Sequence, residues 1–114
     1  MIAAFGYALE GLRAAWRTQR NVRIHVALAL AVVVAGIVLR FSWFGWAIIA
    51  IAIGLVLATE LLNTAVEALV DLVSPQEHPL AKRAKDVAAA GVLAASLAAL
   101  AAGLCVLIAT LRAQ

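Results

Sequence analysis

The stretch ATELLNTAVEALVDLVSP, Ala58 to Pro75, carries Glu60, Asn63, Glu67 and Asp71 at intervals of three and four residues. On a helix these side chains share one stripe about 80° wide. Glu60 and Glu67, seven residues apart, are separated by about 10 Å along such a helix, which suits two different jobs. One carboxylate could accept a proton from a hydroxyl group, while the other could hold Mg²⁺ on a phosphate. The bland alternative is a polar seam joining helices, or a helix end that already stands in water. It fits Asp71, nearest the helix end, better than Glu60, and it remains open for the amide of Asn63.

The stripe follows WAIIAIAIGLVL, a run apolar enough for lipid, so the helix that holds it begins in hydrocarbon. Residues of this chain are 67% hydrophobic and 13% charged, with a mean hydropathy of +1.08. Soluble domains are roughly 45–50% apolar and about 25% charged, so the sequence predicts an all-α integral membrane protein of one domain. Ionisable groups at membrane depth cost several kcal/mol unless paired, solvated or metal-bound, which makes Glu60 and Glu67 functional candidates.

Three segments approach the length of a membrane span: residues 24–39, 43–73 and 87–111. The first is short. The second, at about 1.5 Å per residue, is longer than the hydrocarbon is thick and must project beyond it. Ser74 and Pro75 end it, and residues 74–86 read as a polar cytoplasmic loop. The third is rich in alanine, with Gly91, Ser96 and Gly103 suited to close helix packing. Ahead of the spans, residues 1–22 read as an amphipathic helix on the membrane surface. Ile2, Phe5, Leu9, Leu12 and Trp16 fall within about 80° of arc, with Tyr7, Glu10 and Arg17 turned away. No basic leader or cleavage site marks a signal peptide.

Charge placement gives an orientation. Arg13, Arg17, Arg20 and Arg23 precede the first span, and Lys82, Arg83 and Lys85 lie between the second and third, whereas only Arg40 and Arg112 lie on the other side. The N-terminus is therefore expected in the cytoplasm and the C-terminus outside. Lys82 and Arg83 need no further role than this. The basic excess lacks the interleaved aromatic residues of a nucleic-acid platform, so no nucleic-acid partner is expected. The single cysteine, Cys105, lies in an apolar run and reads as packing. Neither a Walker A sequence nor a G-x-G-x-x-G loop is present, so any phosphate chemistry needs a site built from membrane helices.

ELLNTAVEALVD followed by HPLAKRAKDVAAAGVL resembles the prokaryotic diacylglycerol kinase and undecaprenol kinase family. The resemblance extends through GYALEGLRAAWRTQRNVRIH and covers nearly the whole chain. SPQEHPLAKRAKDVAA and NVRIH look more like the undecaprenol kinase branch. The resemblance implies a homotrimer in the bacterial inner membrane, with active sites shared between neighbours. It also implies transfer of the γ-phosphate of Mg-ATP to a lipid alcohol, undecaprenol or diacylglycerol. By the same resemblance Glu60 matches the general base, and Glu67 a ligand of metal and nucleotide. Asn63 and Asp71 match further active-site positions, and Tyr7, Lys85 and Asp86 match nucleotide contacts; Glu77 and His78, in the polar loop on the same side, are expected as further nucleotide contacts. Gln19 stands at a metal and nucleotide position where the family commonly has glutamate, and Gln76 stands where a loop carboxylate is usual. An amide supplies no negative charge, so metal affinity is expected to fall. Two other classes stay open: an assembly in which Glu60 and Glu67 line a cation path, and a weakened, regulatory family member.

Overall fold

The computed structural model describes all 114 residues as four helices without a strand: α1 (Ile2–Thr18), α2 (Arg20–Leu39), α3 (Trp43–Val73) and α4 (Pro79–Arg112). The last three are long and apolar enough to cross a membrane. They run up, down and up. The amide of Gln114, just past the end of α4, donates to the carbonyl of Leu39 at 2.6 Å, so the C-terminus lies beside the α2–α3 turn. The opposite end gathers the start of α2, the end of α3 and the start of α4.

Each junction has a local cause. Gln19 is extended (φ −115°, ψ 106°), which ends α1 and starts α2. Arg23 spans the break with a 2.6 Å bond to the carbonyl of Trp16. The continuous helix expected over residues 1–22 is thus interrupted at Gln19, and the first span begins at Arg20 rather than at residue 24, so it is not short. Neither glycine nor proline marks that break. Arg40 closes α2 in the left-handed region (φ 62°), where glycine is usual. Ser42 then caps α3 by accepting from the amide of Gly45 at 3.0 Å.

α3 has the bounds the sequence led us to expect, Trp43 to Val73. The expected loop over residues 74–86 does not hold. α4 starts two turns before residue 87, because His78 caps it through Nδ1, accepting from the Leu80 amide at 3.1 Å, and Pro79 takes the first helical position. Proline there loses no hydrogen bond and has its φ already set for the helix. Lys82, Arg83, Lys85 and Asp86 are therefore helical, and the connection shrinks to residues 74–78.

A small core sits near the α2–α3 turn, where Phe41, Ile49 and Val106 are buried against Leu39, Trp46, Ile48 and Ile53. Gly36 lets this turn close: a Cβ there would lie 2.6 Å from both the Phe41 and Trp46 rings. α3 and α4 pack along their length, while α1 touches the rest sparingly. Only ten residues are buried, and the accessible surface is 8424 Å². A globular monomer of this mass would expose about 5,900 Å². Apolar side chains such as Leu93, Leu97 and Leu100 on α4 account for part of the surplus.

Candidate functional site

α3 delivers the polar stripe from the apolar interior toward the end where α4 begins. Glu60 is the deepest of the four and the most enclosed residue of the chain, at 1% exposure. Its Oε2 is buried without a hydrogen bond and lies 3.5 Å from Nε2 of His25 on α2. One turn on, Asn63 Nδ2 donates to Glu67 Oε1 at 3.5 Å, while Asn63 Oδ1 is buried and unpartnered. A further turn brings Asp71, exposed, whose Oδ1 accepts from Lys85 Nζ of α4 at 2.6 Å. The stripe thus changes from buried and under-bonded to exposed and paired over three turns.

An open depression of about 800 Å³ lies at that exposed end, and Asp71, Glu77, His78, Lys82, Lys85 and Asp86 are in its wall. Five residues expected to contact a nucleotide or complete the site, namely Asp71, Glu77, His78, Lys85 and Asp86, share this one surface. Its volume falls in the range of small-molecule sites, about 300–1,000 Å³. His78 also has the structural duty of capping α4. Tyr7, 72% exposed on α1, and Gln19, half-buried at the α1–α2 break, are not hydrogen-bonded to the cluster.

Two lysines supply the cationic charge, and each has a carboxylate. Lys82 Nζ lies 2.6 Å from Asp86 Oδ2, one turn along α4. The hydrogen bond Lys82 donates to Asp86, with that carboxylate's charge, raises the Lys82 pKa above the ordinary 10.5. For Lys85 the hydrogen bond to Asp71 is the main cause of an upward shift; burial opposes it, and the charges of Asp71 and Glu67 add to it. Both ammonium groups stand ahead of the apolar part of α4 and stay charged at neutral pH. A phosphate arriving at Lys85 must compete with Asp71 or share the ammonium with it.

No three His, Cys, Asp or Glu side chains converge as a ready-made metal cage. Mg²⁺ does not require one, since it keeps several waters and takes one or two carboxylates plus substrate phosphates. The donor set fits that mode: Glu67 offers a carboxylate, and Asn63 Oδ1 is a second oxygen on the same stripe without a hydrogen-bond partner. His25 was not among the residues expected at the site. A lone titratable side chain near the start of an apolar span was the available signal, by the same reasoning that singled out Glu60.

Comparison with known proteins gives the family of the chain. The profile of the prokaryotic diacylglycerol kinase family matches residues 6–107, which include α3, the depression and most of α4. A diacylglycerol kinase from Synechocystis is 44% identical over 95% of this chain and 62% of its own length. An undecaprenol kinase from Bacillus subtilis is 45% identical over 78% of this chain and 72% of its own. A diacylglycerol kinase from Escherichia coli is 40% identical over 87% and 81%. This chain therefore spans less than two thirds of the Synechocystis protein and most of the other two. With a family profile covering nine-tenths of its helical structure and relatives of this similarity, the chain belongs to the prokaryotic diacylglycerol kinase family.

Proposed function

We propose that this protein is an ATP-dependent lipid kinase of the bacterial inner membrane that transfers the γ-phosphate of Mg-ATP to the hydroxyl of undecaprenol. The observation that supports it best is the graded polar stripe of α3. It joins a buried, under-bonded carboxylate at Glu60 to a polar depression that holds Lys85 and Asp86. Such a stripe suits a reaction between one substrate held in lipid and another that arrives from water.

In this reading Glu60 orients the lipid hydroxyl and takes its proton as the oxygen attacks the γ-phosphorus; the bond to the β–γ bridging oxygen breaks, and ADP leaves. Glu67 and the Asn63 amide oxygen would hold Mg²⁺, which would supply charge neutralisation at the phosphates. Lys85 turns from Asp71 toward the phosphates. Phosphoryl transfer asks the protein chiefly for positioning and charge stabilisation, so these few groups suffice. Tyr7, Gln19, Glu77, His78 and Asp86 act as nucleotide contacts, with Gln19 also a neutral metal ligand.

The active unit in this reading is a homotrimer, in which neighbouring copies cover the apolar faces that one protomer leaves open. Its N-terminus lies in the cytoplasm and its C-terminus outside. The end bearing Arg20, Arg23, Lys82, Arg83 and Lys85 is the cytoplasmic one, opposite the Arg40–Arg112 end.

Diacylglycerol is the second substrate to consider, since relatives named for each activity match this chain about equally well. The choice of undecaprenol rests on SPQEHPLAKRAKDVAA and NVRIH. The test is parallel phosphorylation of the two alcohols by the purified protein in mixed micelles with labelled Mg-ATP. A higher kcat/KM for undecaprenol supports the assignment; a preference for diacylglycerol overturns it while leaving the kinase reading in place.

A further inference from the structure

We propose that His25 is a positioning residue for Glu60: its imidazole N–H holds one carboxylate oxygen so that the other is presented to the lipid hydroxyl. This inference rests on the lipid-kinase reading above.

A buried carboxylate is stable only with donors around it, because its hydration has been lost. The donors along α3 are spent elsewhere. The Thr59 hydroxyl bonds the carbonyl of Val56 at 2.9 Å, and that of Thr64 bonds the Glu60 carbonyl at 3.0 Å, not its side chain. The Asn63 amide points to Glu67. What remains near Glu60 Oε2 is His25 Nε2, on a different helix, at 3.5 Å. Glu60 Oε2 has no hydrogen-bond partner, so this contact is close without being a formed hydrogen bond. A small turn of either side chain closes it.

His25 has a second neighbour. It is the one titratable residue in the wall of an apolar groove of about 280 Å³ between α2, α3 and α4, whose sides include Leu28, Val32, Ile53 and Val56. The imidazole, with side-chain exposure of 22%, thus stands between an apolar trough and a carboxylate exposed by only 2%. An alcohol with a long hydrocarbon tail presents that combination, with chain on one side and hydroxyl on the other. A histidine whose only task was to join α2 to α3 would need neither the groove nor a partner that lacks a hydrogen bond.

The experiment compares the full-length wild type, His25→Leu and His25→Gln in lipid micelles, following transfer of labelled phosphate and, separately, assembly by gel filtration. His25→Leu is expected to lower kcat by roughly 100-fold, the scale of a misplaced reacting group, with KM for ATP unchanged. His25→Gln, which keeps an N–H donor at similar reach, is expected to recover most of that loss. If the leucine variant fails to assemble, His25→Met takes its place as the variant without a donor. Normal kcat in an assembled donor-free variant overturns the assignment, and so does a glutamine variant as impaired as the leucine one. A wild type that phosphorylates no lipid alcohol overturns the kinase reading itself, a result distinct from either.

Discussion

Lys85 and Asp71, fourteen residues apart, meet at 2.6 Å and tie the start of α4 to the end of α3 at the edge of the polar depression. In the proposed mechanism this lysine exchanges or shares its carboxylate partner when nucleotide arrives. Lys85→Met is therefore expected to raise KM for ATP by roughly tenfold. Thermal stability is expected to move little, since exposed ion pairs contribute little to folding. Steady-state kinetics at varied ATP check this, and an unchanged KM would remove Lys85 from the nucleotide site.

The same pair makes a statement about pH. The folded-state pKa of Lys85 is raised above 10.5, chiefly by its hydrogen bond to Asp71. A raised lysine stabilises the fold fully below its unfolded value and loses that contribution only as pH climbs through the folded value. The stability difference between wild type and Lys85→Met should therefore stay constant from about pH 6 to about pH 9 and shrink only in strong alkali. Thermal melts across that range provide the check.

Gln19 offers a gain-of-charge test. It sits half-buried at the break between α1 and α2, and in the proposed reading it is a neutral metal ligand. Gln19→Glu is expected to lower the Mg²⁺ concentration for half-maximal activity by roughly tenfold, because a carboxylate adds a full negative charge to the ligand set. A magnesium titration that does not shift would place Gln19 outside the metal's coordination.

Gly36 tests the fold away from the chemistry. A methyl group at this position would meet the Phe41 and Trp46 rings at 2.6 Å, and Phe41 belongs to the small core with Ile49 and Val106. Gly36→Ala is expected to cost about 1–3 kcal/mol, as overpacking of a close contact does, and to lower the melting temperature in detergent. An unaltered melting curve would mean that the turn yields without cost.

These residues also mark what the sequence made legible. The end of α3 and the shared face of Glu60, Asn63, Glu67 and Asp71 follow from helical period and from Ser74 and Pro75, all local signals. The start of α4 was hidden because proline both ends and begins helices. His78 as cap decides for a beginning, and a histidine cap is a weaker signal than serine or aspartate. The break at Gln19 lacks glycine and proline and is spanned by an arginine seven residues away from its acceptor. The nearness of His25 to Glu60 joins two helices whose relative rotation no periodicity within either one specifies.

In the proposed mechanism the buried carboxylate on α3 serves phosphate transfer to a lipid alcohol. The most direct measurement is transfer of labelled phosphate from Mg-ATP to undecaprenol by wild type and Glu60→Gln, both shown by gel filtration to be assembled. Labelled lipid is expected from the wild type and a rate lower by at least about 100-fold from the variant, the contribution of a general base. Equal rates from the two proteins would contradict it.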